Sequence, residues 1–179
     1  MLQMKDKFSV AVIGPESTGK SILCEQLALH YQCEFVPEMA RSYLNYLDRK
    51  YNYEDLLEIA KLQFDEEQKQ CNEQGDICIC DTNLTVIKIW SEFVFGKCDS
   101  WILNKDAETH YDLILLCDID LPWQEDPLRE HPNKRKELFS IYYRTLIRKN
   151  DPFKIVRGVG KERVASAIAH IEYFKTKNK

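Results

Sequence analysis

Phe8-Ser9-Val10-Ala11-Val12-Ile13, followed directly by Gly14-Pro15-Glu16-Ser17-Thr18-Gly19-Lys20-Ser21, is the most informative stretch of this chain. The first six residues form a short β-branched run that predicts a buried strand closed at Gly14. The next eight fit the P-loop pattern G-x-x-x-x-G-K-[ST], and a helix is expected from about Gly19 to Tyr31, with Ile22, Leu23, Leu27 and His30 along one side. Strand, glycine loop and helix in that order make a phosphate site by simple chemistry. Gly14 and Gly19 permit backbone angles that side chains forbid, and the N–H groups of Ser17, Thr18, Gly19, Lys20, Ser21 and Ile22 can converge on phosphate oxygens. The helix N-terminus adds partial positive charge. ATP is the expected ligand, with Lys20 bridging its β- and γ-phosphates and the Ser21 hydroxyl on Mg²⁺. Pro15 has no N–H to contribute and belongs on the outer bend. Glu16 would repel phosphate if it pointed inward, so its side chain is expected to face a cation, an acceptor substrate or solvent.

Strand and helix alternate through the rest of the chain. EFVPE is a second strand ended by Pro37, and a helix over about 38–47 follows. The stretch from Tyr53 to Gln74 is helical, with Leu56, Leu57, Ala60 and Phe64 at amphipathic spacing. DICIC is a third strand ending at Asp81, before helices over about 85–95 and 100–110. YDLILLC reads as a strand buried on both faces, FKIVRG as a fifth strand and KERVASAIAHIEYF as a closing helix. Such alternation predicts the α/β class: about five parallel strands, helices on both faces, ligands at the carboxyl ends of the strands. The segment DIDLPWQEDPLREHPN carries three of the six prolines, so it reads as an exposed loop. With the basic-flanked helix over about 134–149 it makes a helical lid spanning roughly 118–137.

Composition bounds the rest. The 179 residues suit one domain, taken as 1–179. With 30% charged and 44% apolar residues, disorder, collagen and coiled coil are excluded. A net charge of −4 argues against a nucleic-acid partner. No apolar run approaches the ~20 residues of a membrane span, and the N-terminus shows no leader pattern, so a soluble, cytoplasmic protein is expected. The seven cysteines include no C-x-x-C pair and read as small buried hydrophobes of a reducing compartment.

Several polar residues fall at strand ends, where ligands bind. Asp81 suits either a second Mg²⁺ carboxylate or a helix N-cap, a role Thr82 could also fill. Glu38 is a candidate base for an acceptor hydroxyl, with Arg41 one turn later to fix the substrate or balance the charge; Asp81 could be the base instead. Arg129, Lys134, Arg135 and Lys136 concentrate cations in the lid, with Arg129 and Arg135 as candidates for stabilising the transferring group. Trp123 could stack on a planar ligand or anchor the lid. Asn104-Lys105-Asp106-Ala107 places its Asp one position early for the guanine motif N-K-x-D. Motor and remodelling ATPases usually need more chain. A compact small-molecule kinase remains.

These motifs together resemble one family: the nicotinamide riboside kinase domain of the bifunctional NAD-biosynthesis protein NadR, with its stand-alone relatives. The loop from Gly14 to Ser21 is similar to that family's G-x-E-S-S-G-K-S, including Glu16. Glu38-Met39-Ala40-Arg41 resembles its E-Y-[GA]-R, and Asp81-Thr82-Asn83 its D-T-D. Pro122-Trp123, Asp126, Leu128 and Arg129 are similar to its P-W-x-x-D-G-L-R, and Arg135-Lys136-Glu137 continues the register. The resemblance implies transfer of the ATP γ-phosphate to the ribose 5′-hydroxyl of nicotinamide riboside. Glu38, Arg41, Asn83, Trp123 and Asp126 would then surround the acceptor. The chain departs from the pattern at Pro37, where NadR has Trp, at Asn83, where it has Asp, and at Pro127, where it has Gly. No counterpart of NadR's nucleotidyltransferase domain is expected from these motifs. Two other expectations stand beside this one: a kinase for another nucleoside or small alcohol, or an ATP-binding regulatory module with no small acceptor.

Overall fold

The computed structural model describes residues 7–73 and 75–177. The readings that touch residues 1–6, Gln74 and 178–179 (the leader pattern, the end of the long helix, the extreme domain limits) lie outside these. Five strands, β1 (Phe8–Ile13), β2 (Phe35–Val36), β3 (Ile77–Asp81), β4 (Leu113–Cys117) and β5 (Phe153–Val156), form one sheet in the order β2-β3-β1-β4-β5. Every pairing is parallel. β1 is therefore central, and the chain turns to one side of it for β2 and β3 and to the other for β4 and β5. That reversal opens a crevice at the carboxyl end of β1, where the glycine loop begins.

The pleat of β1 divides the core. Val10 and Val12 pack with Leu23 and Leu27 of α1 (Lys20–Tyr31) and with Ala167 and Ile171 of α7 (Gly160–Lys177). Ala11 and Ile13 face the other way, toward Ile89 of α4 (Leu84–Phe95) and Leu138, Tyr142 and Leu146 of α6 (Arg135–Lys149). Successive side chains point to opposite faces, so a strand covered on both must be apolar throughout, as β1 and β4 are. A third core lies among α2 (Met39–Tyr46), α3 (Tyr53–Glu73), α4 and α5 (Ser100–Glu108), built on Leu56, Ile59, Leu84, Ile87 and Ile102.

Three local expectations are corrected. The buried face of α1 is Leu23, Cys24, Leu27 and Ala28, whereas Ile22 is 61% exposed and His30 faces out. The glycine loop sets the angle at which α1 meets the sheet, and that angle turns Ile22 toward the crevice. The buried residues of α3 are Asp55, Leu56, Ile59, Ala60, Gln63, Glu67 and Cys71, so three polar residues are among them while Phe64 sits on the shoulder. The reading of all seven cysteines as packed thiols fails for two of them: a disulfide joins Cys71 to Cys78, with Cα atoms 5.3 Å apart across the α3–β3 contact. Cys24, Cys80 and Cys117 are free and buried as expected. The lid has no regular structure until the 3-10 turn Pro132–Lys134, which leads into α6. Among the described residues, no helix is long and apolar enough to cross a membrane.

Candidate active site

The glycine loop is held from both sides. Gly14 has φ +148°, and a Cβ there would lie 2.9 Å from the Cys117 carbonyl oxygen; Gly19 has φ +73°, and a Cβ would meet Leu121 at 2.9 Å. Neither position accepts a larger residue without the neighbouring strand end or lid moving. Thr18 Oγ1 donates to the Pro15 carbonyl at 2.7 Å, and Lys20 Nζ donates to the Gly14 and Pro15 carbonyls at 3.1 Å each. Lys20 is thus parked on acceptors that a phosphate could replace. A cleft of about 180 Å³ opens over Ser17, Thr18, Gly19, Lys20, Ser21 and Ile22, with Glu38, Arg41 and Arg129 also on its wall.

Beneath this cleft, the Ser21 hydroxyl lies beside the Asp81 carboxylate and favours its ionised form. Asp81 is 2% exposed, and its Oδ1 is buried without a hydrogen-bond partner. Burial, followed by the charge of Glu38, pushes its carboxyl up to about 6. An orphaned buried carboxylate oxygen beside a hydroxyl is a donor set that suits a hard divalent cation. Asn83, not Asp81 or Thr82, caps α4, its Oδ1 accepting from the Val86 N–H at 3.2 Å. Asp81 is therefore left free of a capping role. Thr82 adopts φ +70°, an unusual conformation for a β-branched residue, and lies on the wall of the neighbouring cavity.

That second cavity is larger, about 580 Å³, and lies between α2, α3, α4 and the lid. Leu44, Leu56, Ile59, Val86 and Ile87 give it apolar walls, and Tyr51 and Trp90 add aromatic rings. Trp90 Nε1 donates to Tyr51 Oη at 3.0 Å, and Tyr51 Oη donates to Glu130 Oε2 at 2.8 Å, so both polar tips are satisfied. Four carboxylates (Glu16, Glu38, Asp48, Glu130) line it against two cations, Arg49 and Lys50. Arg49 is already engaged by Asp55 through contacts of 2.6 and 2.8 Å.

Glu16 and Glu38 lie on the walls of both cavities. Glu38 stands at the N-cap of α2, yet its side chain makes no capping bond. Its backbone is clamped instead: Gln63, 1% exposed, donates from Nε2 to the Pro37 carbonyl at 3.3 Å and accepts the Met39 N–H at 2.9 Å. The carboxylate is left to the space where the cavities meet. Glu16 turns away from the loop interior, as its charge demands, and accepts the lid N–H groups of Glu130 and His131 at 3.1 Å each. Arg41 reaches the lid as well, with NH1 3.0 Å from Asp126 Oδ2. The Leu128 N–H, and then Arg41, hold the Asp126 carboxyl below its usual range.

The fold thus gathers Lys20, Ser21, Glu38, Arg41 and Arg129 around one cleft and sets Asp81 under it. Five other expected site residues are not brought to either wall: Gly14 lies behind the loop against Cys117, Asp126 is paired with Arg41, and three more are engaged elsewhere. Asn83 is spent on its cap, Trp123 donates to Glu125 at 3.0 Å within the lid, and Arg135 reaches back to the carbonyls of Ser17 and Leu121 at 3.0 and 2.9 Å. Sequence reasoning missed Gln63, Tyr51, Trp90 and Arg163. For Arg163 a signal existed: four and eight residues before Ala167 and Ile171, it puts a charge on the buried face of α7.

A central β1, a glycine loop at its carboxyl end, a carboxylate ending the adjacent strand and a lid above define a P-loop domain with the fold of nucleoside and nucleotide kinases. The model of the AAA domain family matches residues 9–163, and the chain belongs to that family. Among solved structures, it is similar to a NadR protein in complex with NR at TM-score 0.83 and 23% identity, covering 96% of this chain and 52% of that one. A NadR protein with NAD and AMP-PNP matches at TM-score 0.77 and 22% identity, over 96% of this chain and 50% of that one. Thymidylate kinase from Ehrlichia chaffeensis matches at TM-score 0.66 and 14% identity, over 93% and 98%. The chain spans about half the length of the NadR proteins it resembles. No curated protein matches it in sequence.

Proposed function

We propose that this chain is a small-molecule kinase that transfers the ATP γ-phosphate to the ribose 5′-hydroxyl of nicotinamide riboside, giving nicotinamide mononucleotide. The observation that carries this reading is the meeting of two cavities at Glu38: one floored by P-loop amides, the other apolar, aromatic and acidic. Nicotinamide riboside is a planar cation on a sugar. The rings of Tyr51 and Trp90 offer it apolar faces, and the surplus of carboxylates favours its charge over a neutral base. Those rings also supply the aromatic surface that Pro37 does not. The likeness to the NadR proteins and to thymidylate kinase supports the coarser part of this reading, a P-loop kinase.

In this mechanism the loop amides and Lys20 hold the phosphates, and Lys20 exchanges the Gly14 and Pro15 carbonyls for phosphate oxygens. Asp81 and Ser21 would hold Mg²⁺, which when bound supplies charge neutralisation on the phosphate oxygens. Glu38 accepts the 5′-hydroxyl proton as the oxygen attacks. Arg129, on the cleft wall, stabilises charge on the transferring group. Glu16 and Arg41 keep the lid closed against water through Glu130, His131 and Asp126.

Purified protein with Mg²⁺·ATP and millimolar nicotinamide riboside is expected to yield the mononucleotide. ATP turnover indifferent to every acceptor in a nucleoside panel would identify a regulatory ATP module instead. Preference for an uncharged nucleoside would keep the kinase and replace the acceptor. Asp81→Asn should weaken ATP binding about tenfold with Mg²⁺ and leave binding in EDTA unchanged, read by titrating a fluorescent ATP analogue under both conditions.

A further inference from the structure

We infer that Arg163 is a positioning residue of the phosphate site: from α7, outside every motif, it fixes the peptide that aims the glycine-loop amides inward. The inference rests on the ATP-binding half of the proposed function and not on the identity of the acceptor.

The geometry is specific. The Arg163 side chain is 5% exposed. Its NH2 donates to the Thr18 carbonyl at 2.8 Å. NH1 donates to Asp120 Oδ1 at 2.8 Å and to the Gly158 carbonyl at 3.0 Å, and the other Asp120 oxygen accepts the Gly158 N–H at 2.6 Å. One planar guanidinium therefore ties the P-loop to the root of the lid and to the turn between β5 and α7. Its rigid fork suits three acceptors at fixed angles, which a lysine ammonium on a flexible stem cannot match.

The consequence follows from the planarity of the peptide bond. In a trans peptide the carbonyl of one residue and the N–H of the next point in opposite directions. Holding the Thr18 carbonyl against α7 turns the Gly19 N–H the other way, toward the cleft. Arg135 does the same one peptide earlier, through its 3.0 Å contact with the Ser17 carbonyl, and so orients the Thr18 N–H. The two arginines grip consecutive peptides at a place where the backbone is least content by itself. Ser17 has φ +57° without being glycine, and Gly19 has φ +73°. A left-handed non-glycine residue is disfavoured, so an unbraced loop would relax toward other conformations. Preorganised amides bind phosphate without that rearrangement, which is how a residue that never touches ATP contributes to its affinity.

The experiment compares Arg163→Lys and Arg163→Gln with wild type. It uses binding of a fluorescent ATP analogue, KM for ATP and for the acceptor, circular dichroism and thermal denaturation. Arg163→Gln is expected to weaken ATP-analogue binding by about 10–100-fold, the equivalent of one lost charge-assisted hydrogen bond. Arg163→Lys, which keeps the charge and a single reach, should fall between. KM for ATP should rise while KM for the acceptor stays within about twofold of wild type. Should Arg163→Gln fail to fold, Arg163→Lys alone decides by the same split. Wild-type ATP affinity in a folded variant, with only the melting temperature lowered, would overturn the inference and leave Arg163 a core ion-pair residue. Equal rises in both KM values would overturn it too. Absence of ATP binding in the wild-type protein would instead refute the proposed function, a different and separately visible result.

Discussion

Glu38→Gln is expected to slow phosphoryl transfer by about 10²–10⁴-fold, the usual contribution of a positioned general base, while ATP affinity is retained. The substitution keeps the shape of the side chain and leaves untouched the clamp of Gln63 on the flanking Pro37 and Met39 backbone. What disappears is a proton acceptor where the two cavities meet. Glu38 is also one of the charges that push the Asp81 carboxyl up, so its neutralisation makes Asp81 easier to ionise. Mg²⁺·ATP binding should therefore be unharmed or slightly tighter. Single-turnover product formation, set beside ATP-analogue titration, separates the two effects. Full rate in Glu38→Gln, with rate lost and affinity kept in Asp81→Asn, would move the base to Asp81. ATP turnover unaltered by Glu38→Gln, with no acceptor dependence, would favour the regulatory module.

The second large effect is on stability and lies away from the site. Glu67 is 4% exposed on the buried stripe of α3, where it accepts from Tyr111 Oη at 2.8 and 2.9 Å. Burial, partly opposed by that tyrosine, raises its carboxyl from 4.5 to about 7. Below the unfolded value the carboxyl is neutral in both states, and no penalty exists. As pH rises from 4.5 toward 7 the unfolded chain ionises first, so stability declines. Above 7 the native carboxylate is ionised as well, and a penalty on the order of 3 kcal/mol persists. Glu67→Gln removes the ionisation and keeps an oxygen for Tyr111. It should stabilise the fold at pH 8 by that order, about 6–12 °C in Tm, and change little at pH 5. Urea denaturation at the two pH values reads it. Equal effects at both, or a less stable variant at pH 8, would refute the assignment.

Much of this protein was legible one element at a time. The glycine loop carries its own chemistry, because a strand, two glycines and a lysine before a helix leave the backbone few alternatives. The parallel sheet followed from alternation, because β4 is apolar at every position and so must be covered on both faces. Glu38, Arg41 and Asp81 stood out because acids and bases near strand ends fall at the mouth of such a sheet, and Arg129 because cations concentrate in the lid. The aromatic cavity was far less visible. Tyr51 and Trp90 are 39 residues apart and join only because α3 and α4 pack together. Gln63 carries no local signal, because its amide meets the backbone on both sides of Glu38 only once α3 packs against the β2–α2 turn.

The sequence alone therefore determined the class of site: a P-loop between a buried strand and a helix, an α/β sheet and a cation-bearing segment after the fourth strand. Local rules suffice there, since backbone angles, periodicity and charge are properties of neighbouring residues. The tertiary structure decided which partner each polar group takes. It gave Asn83 to a helix cap, Glu16 to the lid amides, Cys71 to Cys78, and Arg135 and Arg163 to the loop carbonyls. A buried donor or acceptor must be satisfied by whatever the packing brings within about 3 Å. That proximity arises between residues as far apart as Thr18 and Arg163, where no local pattern in the chain can record it.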